Sequence, residues 1–391
     1  MSQPGEWTSR RRVEMALSHQ EPDRVPYDLG GSILTGIHVQ AYRRLREHLG
    51  LPEKPITIED PIQQLALVDQ DVKDRLGVDV YGLNPGLPRG FSMNARSEEG
   101  YDKLTDEWGI EWWRPQDGGL YHDMRVHPLA GIEQVGELVR FRCPDPLDPG
   151  RFEGMAARAK ELIEEKQVAY ILGRNAAGIL ETAMWLRGIE SFYRDLIRNL
   201  PLAEALLDLV CENKLAYWIK ALETVGPNVM MVSEADDLCG QERLLISPEL
   251  YRRVIKPRHT RLFQGIKQHA KTGVKVFYHC CGAVFEVIED LLESGIDILN
   301  PVQVSAAGMD TAVLKQRFGD RLVFYGGGVD TQRVLPCSTE QQVRDEVRRR
   351  IEDLAPGGGF IFTTVHNIQA DVPPRNIMAM WETLREYGVY R

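Results

Sequence analysis

Short apolar runs separated by helical patterns constrain the fold of this chain more than any other feature. Parallel strands of α/β proteins are buried on both faces, so they read as continuous apolar runs. The candidate strands are Arg24–Gly31, Gly77–Leu83, Val168–Arg174, Val229–Asp237, Val274–Gly282, Ile296–Gln303, Arg321–Asp330 and Gly358–Asn367. Strand–helix units repeated in this way predict an α/β fold, specifically a (β/α)8 TIM barrel.

A doubly wound open sheet is the main alternative, but it usually carries a G-x-G-x-x-G turn after its first strand. The segment Asp28–Gly31 has no such turn. Residues 84–151 break the strand–helix rhythm, because DEWGIEWWRP and GGLYHDMRVHPL are typical of antiparallel strands with turns. We therefore predict one domain over residues 1–391, with an insertion after strand two that forms part of the active-site rim.

Charge and hydropathy exclude several classes of function. The net charge is -10, which argues against nucleic acid and anionic membranes as partners. No apolar run is long enough for a membrane span or for an N-terminal signal peptide. The 6 cysteines are scattered, so we expect reduced thiols or metal ligands in a cytoplasmic protein. The oligomeric state is not indicated.

Polar residues recur where the predicted strands end, which is where the loops of a barrel form the active site. Among them we expect Arg174, Asn175, Asn300, Gln303, Asp330 and Asn367 to bind substrate. The acidic members that could serve in catalysis are Asp28, Glu234 and Asp236, and Asn84 and Asp237 also belong to the ring. A ring of polar strand ends predicts an enzyme that acts on a small molecule.

The segment YHCCGAVF is the sharpest single element of this ring. Side chains alternate along a strand, so His279 and Cys281 share one face and Cys280 takes the other. Residues two apart are separated by about 6.5–7 Å, which lets an imidazole and a thiolate share one metal. His366, after the eighth strand, is the obvious third ligand, and Glu234 or Asp236 could be a fourth.

Structural interpretations of the same residues stay open. A His-x-Cys pair also fits a buried, hydrogen-bonded histidine beside a small apolar thiol, and His366 fits a structural hydrogen bond equally well. The carboxylates of Glu234, Asp236 and Asp237 also fit a helix cap near Gln241.

The chain resembles the uroporphyrinogen-decarboxylase superfamily over nearly its whole length apart from the insertion. The resemblance rests on EPDRVPYDLGG, EADDLCGQERLLISPELYRRVIKP, YHCCGAVFEVIEDLLESGIDILNPVQ, FYGGGVDTQRVLP and HNIQADVPPRNI. Authentic decarboxylases of this superfamily use no cofactor and carry an Arg-Gln-Ala-Gly-Arg-Tyr segment after the first strand, an aspartate after the second and a Gly-His-Gly segment after the eighth. Here Asp28 stands where an arginine is wanted, no aspartate follows Leu83, and only His366 matches.

Cobalamin-linked methyltransferases of the superfamily are the closer resemblance, because their zinc is bound by His-x-Cys and by a cysteine after the eighth strand. His279 and Cys281 match that pattern, with His366 at the third position. The resemblance implies zinc-dependent methyl transfer with a methyl-corrinoid carried by a partner protein, in the demethylation of a methylated small compound. Asp236 or Glu234 would complete the shell or act as base.

Two alternatives belong to other classes. One is a carboxy-lyase acting on uroporphyrinogen III or a related carboxylate, with His366 and either Asp28 or Asp236 as proton donor and positioner. The other is a non-catalytic barrel that binds a small molecule or a protein. A bound metal would separate the methyltransferase from both.

Overall fold

A computed structural model describes residues 7–391 and gives strands that match the predicted segments in all but one case. In chain order the strands are β1 (Ile58–Asp60), β2 (Leu65–Ala66), β3 (Val80–Leu83), β4 (Arg96–Glu98), β5 (Tyr101–Thr105), β6 (Glu111–Pro115), β7 (Asp123–Val126), β8 (Ala169–Leu172), β9 (Met231–Ala235), β10 (Lys275–His279), β11 (Ile298–Asn300), β12 (Val323–Tyr325) and β13 (Phe360–Ile361).

The helices lie mainly between the parallel strands. They are α1 (Ser9–Leu17), α2 (Val39–His48), α3 (Gln70–Leu76), α4 (Met155–Lys160), α5 (Ile179–Arg187), α6 (Ile189–Arg198), α7 (Leu200–Val225), α8 (Pro248–Leu250), α9 (Lys256–His269), α10 (Ile288–Ser294), α11 (Thr311–Phe318), α12 (Val334–Cys337), α13 (Glu340–Leu354) and α14 (Pro374–Tyr387). Shorter 3-10 or π segments are Val135–Arg140, Pro149–Phe152, Glu161–Glu165, Tyr251–Ile255 and Val284–Val287. No helix within residues 7–391 is both long and apolar enough to cross a membrane.

The central sheet has 7 strands in the order β13-β12-β11-β10-β9-β8-β3, and each neighbouring pair is parallel. The sheet curls, because the rings of Phe277 on β10 and Tyr325 on β12 meet at 5.0 Å between centroids although β11 lies between their strands. Helices surround this sheet, as expected for a TIM-barrel-like α/β fold.

The first predicted strand, Arg24–Gly31, joins the two edges of the sheet without forming a regular ladder. Asp28 N–H donates to the carbonyl of Phe362 and Asp79 N–H donates to the carbonyl of Tyr27, at 2.9 and 2.8 Å. Pro26 has no N–H, and the N–H of Tyr27 donates to the side chain of Asp79 instead of to a backbone carbonyl. Because Pro26 lacks an N–H and the N–H of Tyr27 is used by a side chain, this segment shows only isolated bridges.

Alternation along the strands divides the core into two layers. On β9 and β10, Met231 and Phe277 belong to one cluster, while Val232 and Tyr278 belong to the larger cluster that includes the helices. Each fully buried side chain of this kind contributes about 1.5–3 kcal/mol relative to an exposed one. Odd-numbered residues of β9 and β10 therefore face the inside of the curled sheet.

The insertion after β3 contains an antiparallel sheet of 4 strands, in the order β4-β5-β6-β7. It reaches across the carboxyl end of the barrel, where Tyr121 O–H donates to Gln369 at 2.6 Å and Arg114 donates to Gln64, also at 2.6 Å. On the other side Leu129 N–H donates to the carbonyl of Leu186 in α5 at 2.9 Å. The sheet thus forms one wall of the mouth of the barrel.

Candidate metal centre

His279, Cys281 and His366 come together at the carboxyl ends of β10 and β13. One ligand atom from each lies within 4.8 Å of the others, and Cys281 Sγ is 3.3 Å from His279 Nε2. The two imidazole rings are 5.3 Å apart between centroids. Three donors at these separations can reach one ion, because Zn–N and Zn–S bonds are about 2.0–2.3 Å long.

Asn300 determines which nitrogen of His279 is available to a metal. Its Nδ2 donates to the carbonyl of Tyr325 at 2.9 Å, so its Oδ1 is the atom 2.6 Å from His279 Nδ1. A carbonyl oxygen can only accept, and this network therefore assigns the proton to Nδ1. The lone pair of Nε2 is left facing Cys281, as in metal sites whose histidines donate their other N–H to a protein oxygen.

The turn that carries Cys281 is held from two sides. Cys281 N–H donates to Asp237 Oδ1 at 2.7 Å, and Gly282 N–H donates to Gln303 Oε1 at 2.6 Å. Gly282 has a φ of 94°, and a Cβ there would meet the carbonyl oxygen of Gly240 at 2.4 Å. Only glycine fits this position without moving the turn.

Burial sets the ionisation of the three groups. It lowers the pKa of His279 to about 4, and burial together with the neighbouring His279 does the same for His366. Burial and the adjacent carboxylate of Asp237 raise the pKa of the Cys281 thiol. Both imidazoles are therefore neutral at pH 7 and ready to ligate, and the thiol would release its proton on binding a metal. Two nitrogens and one sulfur suit zinc and leave a fourth position open.

Glu234 and Asp236 lie on the other face of their strand, toward the helices, and the structure does not bring them to this cluster. Glu234 accepts from Trp218 Nε1 and pairs with Lys214 of α7 at 3.1 Å. Asp236 accepts from the N–H groups of Leu180 and Glu181 at 2.9 and 2.8 Å, and His259 lies 2.8 Å from it. Asp236 therefore caps α5, not the downstream segment near Gln241.

The other acidic residues of the predicted ring have partners of their own. Asp28 is fully buried, accepts from Tyr325 O–H and from Gly31 N–H at 2.7 Å each, and has a pKa that burial raises to about 6. Asp330 accepts from Gln332 N–H at 2.7 Å in the loop after β12. Neither belongs to the His/Cys/His cluster.

The amide residues join the loops around the mouth. Asn367 accepts from Gly36 N–H at 2.6 Å and donates to Ile33 at 2.9 Å, which ties the last strand to the first loop. Asn175 donates to Asn213 at 3.1 Å, and its buried Oδ1 has no partner among the residues that the structure describes.

The ionisable residues Arg174, Glu181 and Asp237 lie beside the cluster. Arg174 donates to Ser233 Oγ at 3.1 Å, and no carboxylate within residues 7–391 forms an ion pair with it. Burial and the nearby carboxylates of Asp237 and Asp236 raise the pKa of Glu181 to about 8. Asp237 belongs to the predicted ring of polar strand ends, whereas nothing in the sequence singles out Glu181 within its helix.

Comparison with known proteins follows this geometry. Residues 125–387 match the model of a family described as uroporphyrinogen decarboxylase (URO-D). A uroporphyrinogen decarboxylase of Thermus thermophilus is 25% identical over 367 residues, which is 90% of this chain and 91% of the relative. One of Alkalilimnicola ehrlichii is 24% identical over 269 residues, 66% of this chain and 68% of the relative. A solved methyltransferase from Methanosarcina mazei has a similar fold, with a TM-score of 0.66 and 20% identity over 98% of this chain and 99% of its own.

Proposed function

Because the chain belongs to the uroporphyrinogen decarboxylase family and gathers two histidines and a cysteine at its barrel mouth, we propose that it is a zinc-dependent methyltransferase. It would act with a corrinoid protein in the demethylation of a methylated small compound: the methyl group, carried on the corrinoid, would pass to an acceptor anion at this site and leave the corrinoid reduced. The observation that carries the proposal is the grouping of His279, Cys281 and His366 within 4.8 Å. Zinc held by these residues would supply a Lewis acid that keeps the methyl acceptor anionic at neutral pH.

The remaining residues of the site position these ligands. Asn300 holds the ring of His279, while Asp237 and Gln303 hold the turn that carries Cys281. Methyl transfer needs chiefly a desolvated nucleophile aligned with the methyl group, so a rigid cluster in a mouth covered on one side meets its main requirements. The four-stranded sheet of the insertion would exclude water from one side.

Arg174 is the residue that we assign to the small compound. Its guanidinium has one hydrogen bond, to Ser233, and no ion pair within the described chain. An anionic group of the small compound would therefore find charge-assisted donors beside the cluster. Asn175, with its free carbonyl oxygen, would orient the same molecule.

Glu234, Asp236 and Asp28 act in this proposal as positioning residues. Asp236 fixes the start of α5, which carries Glu181 to the mouth, and Glu234 fixes α7 against β9. Asp28 accepts from the hydroxyl of Tyr325, the residue whose carbonyl orients Asn300.

Decarboxylation of a tetrapyrrole carboxylate is the second candidate, because the matched relatives are named uroporphyrinogen decarboxylases. Such a substrate carries many carboxylates, and each one buried without a cation costs several kcal/mol. Against such a substrate the mouth offers the unpaired cation of Arg174, beside the carboxyl groups of Asp237 and of Glu181, whose pKa of about 8 keeps it largely protonated at pH 7. This balance favours the methyltransferase.

The two candidates are separated by giving the purified zinc-loaded chain each substrate in turn. With methylcobalamin and a small thiol, we expect loss of the cobalt-bound methyl group, followed by visible absorption, and loss of this activity in Cys281→Ala. Uroporphyrinogen should remain unchanged on product analysis. Chelator-resistant decarboxylation that His366→Ala abolishes would instead assign the chain to the second candidate.

A further inference from the structure

A second cavity, of about 420 Å³, lies on the flank of the barrel, away from the metal centre. Its wall includes Val78, which lies just before β3, and Val168, which lies just before β8. The cavity therefore opens near the amino ends of these strands. The polar lining comprises Ser9, Arg24, Gln70, Lys73, Asp74 and Lys166, with Tyr81 between them. The metal-ligating residues follow the carboxyl ends of other strands, so the two sites are distinct.

Lys73 is the residue that this cavity leaves unexplained. It is 7% exposed, yet within residues 7–391 its ammonium has no hydrogen bond and no ion pair. Its Nζ lies over the ring of Tyr81, 4.3 Å from the ring centroid. Burial lowers the pKa of Lys73, while the carboxylates of Glu59 and Asp28 raise it without a direct bond to the ammonium. An anion in the cavity would supply the missing partner.

Two arginines add positive charge at the edge of the cavity. The guanidinium nitrogens of Arg24 and Arg385 each lie 3.8 Å from where a Cβ on Gly77 would be. Arg24 forms an ion pair with Asp79, and Asp79 also pairs with Arg12. Arg385 has no ion pair within the described chain. Burial, and then the like charge of Arg24, lower the pKa of Arg385.

Lys166 forms the opposite side. It donates to Gln70 Oε1 at 2.6 Å and has a loose pair with Glu161 at 3.8 Å. Gln70 in turn donates to Asp74 at 2.7 Å, so the carboxylate in the lining is already bonded. The lining itself carries three cations, Arg24, Lys73 and Lys166, against the one carboxylate of Asp74, although the chain as a whole has a net charge of -10.

We propose that this flank cavity is a binding site for a small multivalent anion that bears a phosphate group, held between Lys73, Lys166 and the Arg24–Arg385 pair. Phosphate oxygens accept charge-assisted hydrogen bonds from both ammonium and guanidinium groups. Occupation would give the ammonium of Lys73 a direct partner and relieve the repulsion between the two arginines. The inference does not depend on the reaction at the metal centre.

The test measures binding of inorganic phosphate and of glycerol 3-phosphate to the full chain, by calorimetry and by thermal unfolding at constant ionic strength in sodium chloride. The two probes separate the free ion from an organic phosphate as the preferred form. Lys73→Met and Arg385→Gln should each weaken binding about 10-fold or more. Lys271→Met and Arg375→Gln replace exposed cations elsewhere and should leave binding unchanged.

Lys73→Met gives a second readout that a structural lysine would not give. Without phosphate we expect the variant to unfold at about the same temperature as the parent chain, because the ammonium that is removed has no hydrogen bond or ion pair to lose within the described residues. Its unfolding temperature should no longer rise with phosphate. The proposal is overturned if neither probe binds, if chloride has the same effect, or if Lys73→Met and Arg385→Gln bind phosphate as the parent does.

Discussion

Asn300 Oδ1 lies 2.6 Å from His279 Nδ1, and this contact leaves His279 Nε2 facing Cys281. Asn300 is fully buried, and its other amide atom is committed to the carbonyl of Tyr325. The imidazole therefore has one orientation and one tautomer before any metal arrives. Such partners typically change metal affinity by about 10–100-fold when they are removed.

Replacing Asn300 by alanine should accordingly weaken zinc binding by about 10–100-fold, because the ring of His279 loses the acceptor that orients it. Asn376→Ala is the matched control, since Asn376 is also fully buried and donates to two carbonyls, far from the metal centre. Competition with a chromophoric chelator measures the affinity. Equal zinc affinity in both variants would mean that Asn300 does not orient the ligand.

Glu234→Gln should destabilise the chain by about 3–5 kcal/mol without changing its zinc content. The substitution leaves the ammonium of Lys214 buried without its carboxylate, which is the costly way to break a buried pair. Urea unfolding and metal analysis measure the two effects. Loss of zinc from a folded Glu234→Gln variant would place Glu234 in the metal shell instead.

Asp28 should make stability depend on pH. Its pKa in the folded chain, about 6, lies above the ordinary value of 3.8, because burial disfavours the carboxylate. The cost of ionising it is absent below about pH 4 and complete above about pH 6, so stability falls as the pH rises through this window. Asp28→Asn removes the effect. From pH 4 to 8 the variant should gain about 2 kcal/mol relative to the parent in urea unfolding.

If the stability of the parent chain and that of Asp28→Asn changed with pH in parallel, the raised pKa would not belong to Asp28. Asparagine can still accept from Gly31 N–H and bond the hydroxyl of Tyr325, so the comparison isolates the charge.

Gly282→Ala should abolish zinc binding in a chain that still folds, because the added Cβ would push the turn that carries Cys281 away from Gly240. Gly273→Ala, in the connection before β10, is the control, since a Cβ there meets nothing within 4 Å. Zinc content and circular dichroism of both variants test the expectation. Full zinc content in Gly282→Ala would show that the turn is not a constraint.

The barrel and the cluster could be predicted from sequence because apolar runs and strand alternation are local properties. The same alternation separates Asp237 from Glu234 and Asp236: β9 and β10 pair His279 with Ala235, so Asp237 continues on the face of Cys281. In the sequence-based interpretation, side-chain alternation is applied to β10 alone and not to β9. The irregular first strand could not be predicted, since its ladder is interrupted by the side chain of Asp79. Glu181 reaches the mouth through the tertiary placement of α5, which no local pattern encodes.

The zinc content of the purified chain and of four alanine variants tests the central claim most directly. We predict one zinc per parent chain, loss of the metal in His279→Ala, Cys281→Ala and His366→Ala, and full retention in Cys280→Ala. Cys280 is the matched control because its buried thiol lies one residue from the ligands but points into the helix layer, where it accepts from Leu238 N–H at 3.4 Å. Absence of stoichiometric metal from the parent chain, or equal loss in the Cys280→Ala and Cys281→Ala variants, would contradict the account.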